Sequence, residues 1–128
     1  MNRKILALSM GLLAFWGAQG AARHASAAAP GGEPPRLEHT SYVSARKVIL
    51  GYGWAPLGGP CEGVSARACA SFPEIGSCSG DEGGYCGMVF VRQDRCLYVT
   101  TSGGEPESGK DSDTTVEKVT FRHGPCAK

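Results

Sequence analysis

The apolar positions of this chain change period twice along its 128 residues. From Ile5 to Ala18 they are nearly continuous, from Tyr42 to Ile49 they recur at helical spacing, and beyond Gly87 they gather in short β-branched and aromatic runs. Each period predicts a different kind of segment.

The first run follows Arg3 and Lys4 and is about fourteen residues long, short of the roughly twenty that span a bilayer. Two small-residue triplets follow it, Ala18-Gln19-Gly20 and Ala25-Ser26-Ala27. This is the pattern of a secretory signal peptide over residues 1–27, cleaved between residues 20 and 28 with Ala27 the preferred last residue. An uncleaved anchor is the alternative; with cleavage, no stable membrane insertion is expected. Residues 28–39 combine alanine, glycine and proline with almost nothing to bury and read as a flexible leader. Residues 40–128 then form a single domain.

In that domain Tyr42, Ala45 and Ile49 stand at i, i+3 and i+7 with Val48 beside them, while Arg46 and Lys47 face outward. The spacing predicts one amphipathic helix. Thr40 or Ser41 is placed to cap its first turn and Gly51 to end it in a left-handed turn. The glycine-rich stretch after it, Gly51 to Cys61, cannot be a dinucleotide loop. Such loops lie before a helix, where N–H groups face the phosphate, and here the glycines sit at the electronegative C-terminal end. They steer the chain, Trp54 is expected as an anchor between helix and sheet, with a ligand platform as the alternative, and Pro56 fits the start or edge of a strand.

No helical period is visible beyond Cys61. Residues 72–78 are short and can extend, and residues 79–84 form a glycine-rich loop. Residues 87–91 and 96–101 make a hairpin across the polar residues 92–95, and residues 116–122 make a last strand with Val119 and Phe121 on one face. The polar loop 102–112 joins the last two strands. The expected fold is α+β: one N-terminal helix packed on an antiparallel meander of four to five strands.

About a hundred mature residues bury a limited core, so covalent support is expected. All six cysteines, Cys61, Cys69, Cys78, Cys86, Cys96 and Cys126, lie in the domain, and an even count after a signal peptide reads as a disulfide framework. The favoured pairing is 61–69, 78–86 and 96–126. The first two bracket loops, and the third joins the start of one strand to the end of its antiparallel neighbour.

Four groups of residues resemble a set of small secreted Gram-negative bacterial proteins of unknown function: Tyr42-x-x-Ala45-Arg46, Gly53-Trp54-x-Pro56, Pro73-Glu74-x-x-Ser77-Cys78-x-Gly80 and Cys86-x-Met88-x-Phe90. The resemblance covers residues 42–101 and implies a periplasmic or secreted product, without an activity. Cys96 and Cys126 depart from the four-cysteine pattern of that set and suggest an added bridge.

Charge narrows the partners. Residues 1–27 hold Arg3, Lys4 and Arg23 of the 13 basic residues and none of the 12 acids, so the mature chain is slightly acidic. It has no basic stripe for nucleic acid and no polybasic patch for anionic lipid. Cysteine spacings of 8, 9, 8, 10 and 30 do not suit zinc, whose ligands pair two to four residues apart, and Cys-x-x-Cys is absent. Only His39 and His123 are available as bases in the domain, and no Gly-x-Ser-x-Gly elbow is present. Asp111-Ser112-Asp113 is a fragment of a calcium loop without its glycine and distant glutamate. No catalytic residue, metal or cofactor is therefore assigned.

The candidate contact residues are Asp81, Glu82 and Tyr85 on one loop and Glu105 and Glu107 on the other, with solvated charge as the bland explanation of the acids. The function expected is a small non-enzymatic binding module, with secreted inhibitors among its fold analogues, whose unknown partner is a protein or an envelope component. A structural envelope protein without a specific soluble partner is the runner-up, and an unrecognised hydrolase the third reading.

Overall fold

The computed structural model describes residues 32–109 and 113–128. The signal-peptide reading of residues 1–27, Ala28 to Gly31 of the leader, and Asp111 and Ser112 of the calcium-like fragment lie outside the described residues.

Helix α1 spans Tyr42–Gly51. Ser41 caps it, its side chain accepting from Ser44 N (3.3 Å), which satisfies one of the free N–H groups of the first turn. Tyr42, Ala45 and Ile49 are buried, as their spacing requires. The helix ends one turn element later than expected: Gly51 is its last residue and Tyr52 its C-cap, and Gly53, at φ +83°, takes the left-handed conformation assigned to Gly51. The glycine at that position avoids the Cβ penalty of positive φ.

The sheet holds β1 (Ala55–Pro56), β2 (Ile75–Cys78), β3 (Cys86–Arg92), β4 (Arg95–Ser102) and β5 (Thr115–His123), with every strand pair antiparallel. β3, β4 and β5 are consecutive neighbours. The other edge of β3 is shared: β1 pairs with Phe90 and Val91 near its end, and β2 with Cys86 to Met88 at its start. The β3–β4 hairpin turns on Gln93 and Asp94, and Gln93 has φ +53°, the sign a two-residue turn needs to match strand twist. The α+β class with a five-stranded antiparallel sheet and three disulfides is thus as the sequence suggests, but only β3 to β5 form a meander: β1 and β2 do not pair with each other and instead share one edge of β3, because α2 and its loop separate them.

Three local expectations are corrected. A second helix, α2 (Ala66–Ser71), follows Cys61, where no helical period is visible. It is six residues long and buries only Ala68, so it leaves no periodic trace; a Ser65 cap and the Cys61–Cys69 bridge hold it instead. Packing also begins earlier than Thr40. Leu37 is buried in the core, His39 N donates to Val116 O (2.7 Å), and Ser41 bridges to Thr115, so the end of the leader lies along the start of β5. Arg46, expected to face water, turns inward to Glu74.

The core lies between the helices and one sheet face. Tyr42, Ala45, Ile49, Trp54, Ala68 and Phe72 meet Ile75, Met88, Phe90, Leu97, Val99 and Val116. Consecutive burial of Met88, Val89 and Phe90, and of Cys96 and Leu97, means that part of the second face, around Val89 and Cys96, is covered as well. The residues after β5 cover it. Ala127 N donates to the hydroxyl of Tyr98, which stands opposite Val89, and Lys128 Nζ donates to Gly59 O (3.2 Å) and Pro73 O (2.7 Å).

The bridges join Cys61 to Cys69, Cys78 to Cys86 and Cys96 to Cys126, the pairing favoured from the sequence, and no described cysteine is free. The last closes a span of 30 residues and ties the C-terminal segment to the sheet. Replacing Cys96 and Cys126 together by alanine should therefore lower the unfolding free energy by about 3–4 kcal/mol, the chain-entropy value for a loop of that length. Urea unfolding measures it; a loss close to that from removing the 8-residue Cys78–Cys86 span would mean that loop length does not set the effect.

Candidate functional site

The two loops named from the sequence meet at one end of the sheet, opposite the β3–β4 hairpin. Cys78 and Cys86 are paired directly across β2 and β3, so their bridge closes the base of the loop 79–85. Inside it Ser79 N donates to Tyr85 O (2.7 Å), Tyr85 N donates to Ser79 Oγ (3.0 Å), and that hydroxyl donates to Asp81 Oδ1 (2.8 Å). A loop of glycine and serine is rigid here because its polar groups are satisfied within it.

The second loop is bonded to the first through backbone. Gly103 N donates to Gly83 O (3.1 Å) and Gly104 N to Gly84 O (2.9 Å). The approach requires glycine: at Gly84, where φ is +55°, a Cβ would stand 2.5 Å from Gly104 N. Thr114 Oγ1 adds a bond to Gly104 O (3.1 Å). The two loops are thus one surface.

Each predicted contact residue has a place on it. Asp81 is exposed but spends one oxygen on Ser79, and Glu82 is exposed. Tyr85 is half exposed, the one large hydrophobic residue so open among those described, with its ring lying against Gly83. Glu107 is exposed on the second loop. Glu105 is not an open contact: its two oxygens accept from Ser65 N (2.7 Å) and Ser65 Oγ (2.6 Å), which pins the loop to the start of α2. Ser65 Oγ in turn accepts from Ala68 N (3.2 Å).

That clamp frames an open cleft of about 640 Å³ between α2 and the loop. Ser65, Arg67, Ala68 and Ser71 line one wall and residues 105–108 the other. Ala68 and Pro106 are buried and form an apolar floor. Arg67 and Ser71 are one helical turn apart, so both face the opening. The Cys61–Cys69 bridge holds the helical wall from behind.

Sequence reasoning missed this wall, because α2 has too few buried positions to show a period. It also missed a buried polar group. Glu74 is fully buried between Phe72 and β2; Tyr42 Oη donates to its Oε1 (2.6 Å), and Arg46 donates through Nε to Oε1 (2.5 Å) and through Nη2 to Oε2 (3.3 Å). Burial, then the neighbouring Glu74 carboxylate, pushes the Tyr42 hydroxyl well above the ordinary tyrosine value, so it remains a donor. The hydrogen bond to Glu74 raises Arg46 against the opposing effect of desolvation. The one available signal was an acid set between Phe72-Pro73 and Ile75. Tyr42 and Glu74 have no exposed surface, so this network joins α1 to the start of β2 in the interior.

The remaining residues lie apart from the cleft. Trp54 is buried, packed against Phe121 with ring centroids 5.8 Å apart and under the Arg92 guanidinium, so it is an interior anchor. His123 lies 3.9 Å from Asp94, both in solvent at the hairpin end, and His39 sits beside β5. Among the described residues no group of three or more His, Cys, Asp or Glu is placed to hold a metal. Three disulfides fit an extracellular or periplasmic protein. No described helix is long and apolar enough to cross a membrane. No protein-family model, no curated protein and no solved structure matches this chain.

Proposed function

We propose that this chain is exported, loses residues 1–27, and acts in the periplasm or outside the cell as a small non-enzymatic binding module for a protein or envelope component. The observation that supports the reading is the joining of loops 79–85 and 103–109 by backbone hydrogen bonds into a single surface that carries exposed Tyr85 and borders the cleft. Bonded and stapled loops lose little conformational entropy when a partner docks, so modest contacts suffice for specific binding. An exposed aromatic ring on such a support is the kind of residue that dominates binding energy elsewhere. The resemblance to small secreted Gram-negative proteins points to the same compartment.

The test is capture from a periplasmic extract with the oxidised domain as bait. One partner should be retained saturably, and Tyr85→Ala should weaken that retention about tenfold, the effect of losing a moderate contact, with only a small drop in unfolding midpoint because half of the ring is exposed. Diffuse recovery of envelope material, unaffected by Tyr85→Ala, would favour a structural envelope role instead.

A further inference from the structure

We propose that the cleft between α2 and residues 105–108 binds a peptide carboxylate next to a small apolar residue; this rests on the binding-module reading and names a ligand class for its cleft. The volume, about 640 Å³, lies within the range of ligand sites, roughly 300–1,000 Å³, and accommodates a few residues of extended peptide. Arg67 is exposed and has no ion-pair partner among the described residues, and it stands on the helical wall one turn from the Ser71 hydroxyl. A guanidinium presents two parallel N–H groups to a carboxylate, and a neighbouring hydroxyl adds a donor.

The opposite wall sets the upper limit on charge. Glu105, its carboxylate already bonded to Ser65 on the helical wall, and Glu107 on the loop both line the cleft, which disfavours a multiply charged anion such as phosphate and leaves Arg67 to hold a single carboxylate. The floor of Ala68 and Pro106 is apolar and suited to a small side chain such as alanine beside the acid. The clamp from Glu105 to Ser65 and the Cys61–Cys69 bridge fix both walls before any ligand arrives. The carboxylate has two possible sources, a peptide C-terminus or an acidic side chain, with the same chemistry at Arg67.

Isotope-labelled oxidised domain is titrated, by amide chemical shifts, with three probes: acetyl-Ala-Ala-Ala with a free C-terminal carboxylate, acetyl-Ala-Glu-Ala amide, and acetyl-Ala-Ala-Ala amide. Saturable shifts confined to residues 65–71 and 105–108 are expected from one or both carboxylate probes, and none from the all-amide probe. Response to the first alone identifies a C-terminus as the source, and to the second alone an acidic side chain. Arg67→Gln should weaken the binding at least about tenfold, with the remaining spectrum unchanged. The inference is overturned by absence of saturation up to about 10 mM, by an equal response to the all-amide probe, or by an unaltered affinity in Arg67→Gln. If the probes fail while the domain still captures a partner, the cleft assignment falls and the module reading stands; if both fail, both fall.

Discussion

Arg46→Met should lower the unfolding free energy by about 3–5 kcal/mol, the usual cost of leaving one member of a buried ion pair without its partner. The size follows from where the charges lie. Glu74 is completely buried, and without Arg46 its carboxylate keeps the Tyr42 hydroxyl as hydrogen-bond partner and only the more distant charge of Lys128. Methionine keeps most of the aliphatic stem and the cover over Phe72, so the loss reports the missing charge more than missing volume. The reverse change, Glu74→Gln, should cost less, about 1–3 kcal/mol, because the Arg46 side chain is about a quarter exposed and its guanidinium can regain water. Denaturant unfolding of the two variants gives the comparison. An equal or inverted order would show that the carboxylate is not the group whose burial the network offsets.

Trp54→Ala should cost a similar amount, about 3–5 kcal/mol, the range for removing a large buried aromatic. Trp54 follows the left-handed Gly53, packs on Phe121 of β5, and lies under Arg92 of β3. Its removal opens a cavity where the exit of α1 meets both strands. The change should appear as a lower midpoint in urea with little effect on peptide binding in the cleft, which belongs to the opposite end of the sheet. A midpoint that hardly moved, together with lost partner capture, would make Trp54 a ligand platform.

Most of the regular structure could be read from local chemistry. Residues 87–91 and 96–101 are apolar runs flanking a short polar connection, and they form the centre of β3 and β4. Tyr42, Ala45 and Ile49 carry the helical period and are buried as that period demands. The disulfide pairing followed from the same reading, because antiparallel neighbours bring the ends of adjacent strands together. The surface was visible as two polar glycine-rich loops, but nothing local shows that Gly83 and Gly84 bond to Gly103 and Gly104, some twenty residues away.

By itself the sequence determined the β3–β4–β5 succession, the start and buried face of α1, the cysteine framework and the polarity of the loop end, since each depends on periodicity, turn residues or residue type within a few positions, whereas the sharing of one edge of β3 by β1 and β2 was decided by tertiary pairing. Tertiary structure alone decided where Arg46 points, that α2 exists, that Leu37 belongs to the core, and that a clamp from Glu105 to Ser65 creates a cleft. The physical reason is the same in each case. A charged side chain is buried only if a distant group such as Glu74 compensates it, and a six-residue helix persists only if a bridge and a distant carboxylate hold its ends. Such compensation is a property of the assembled fold.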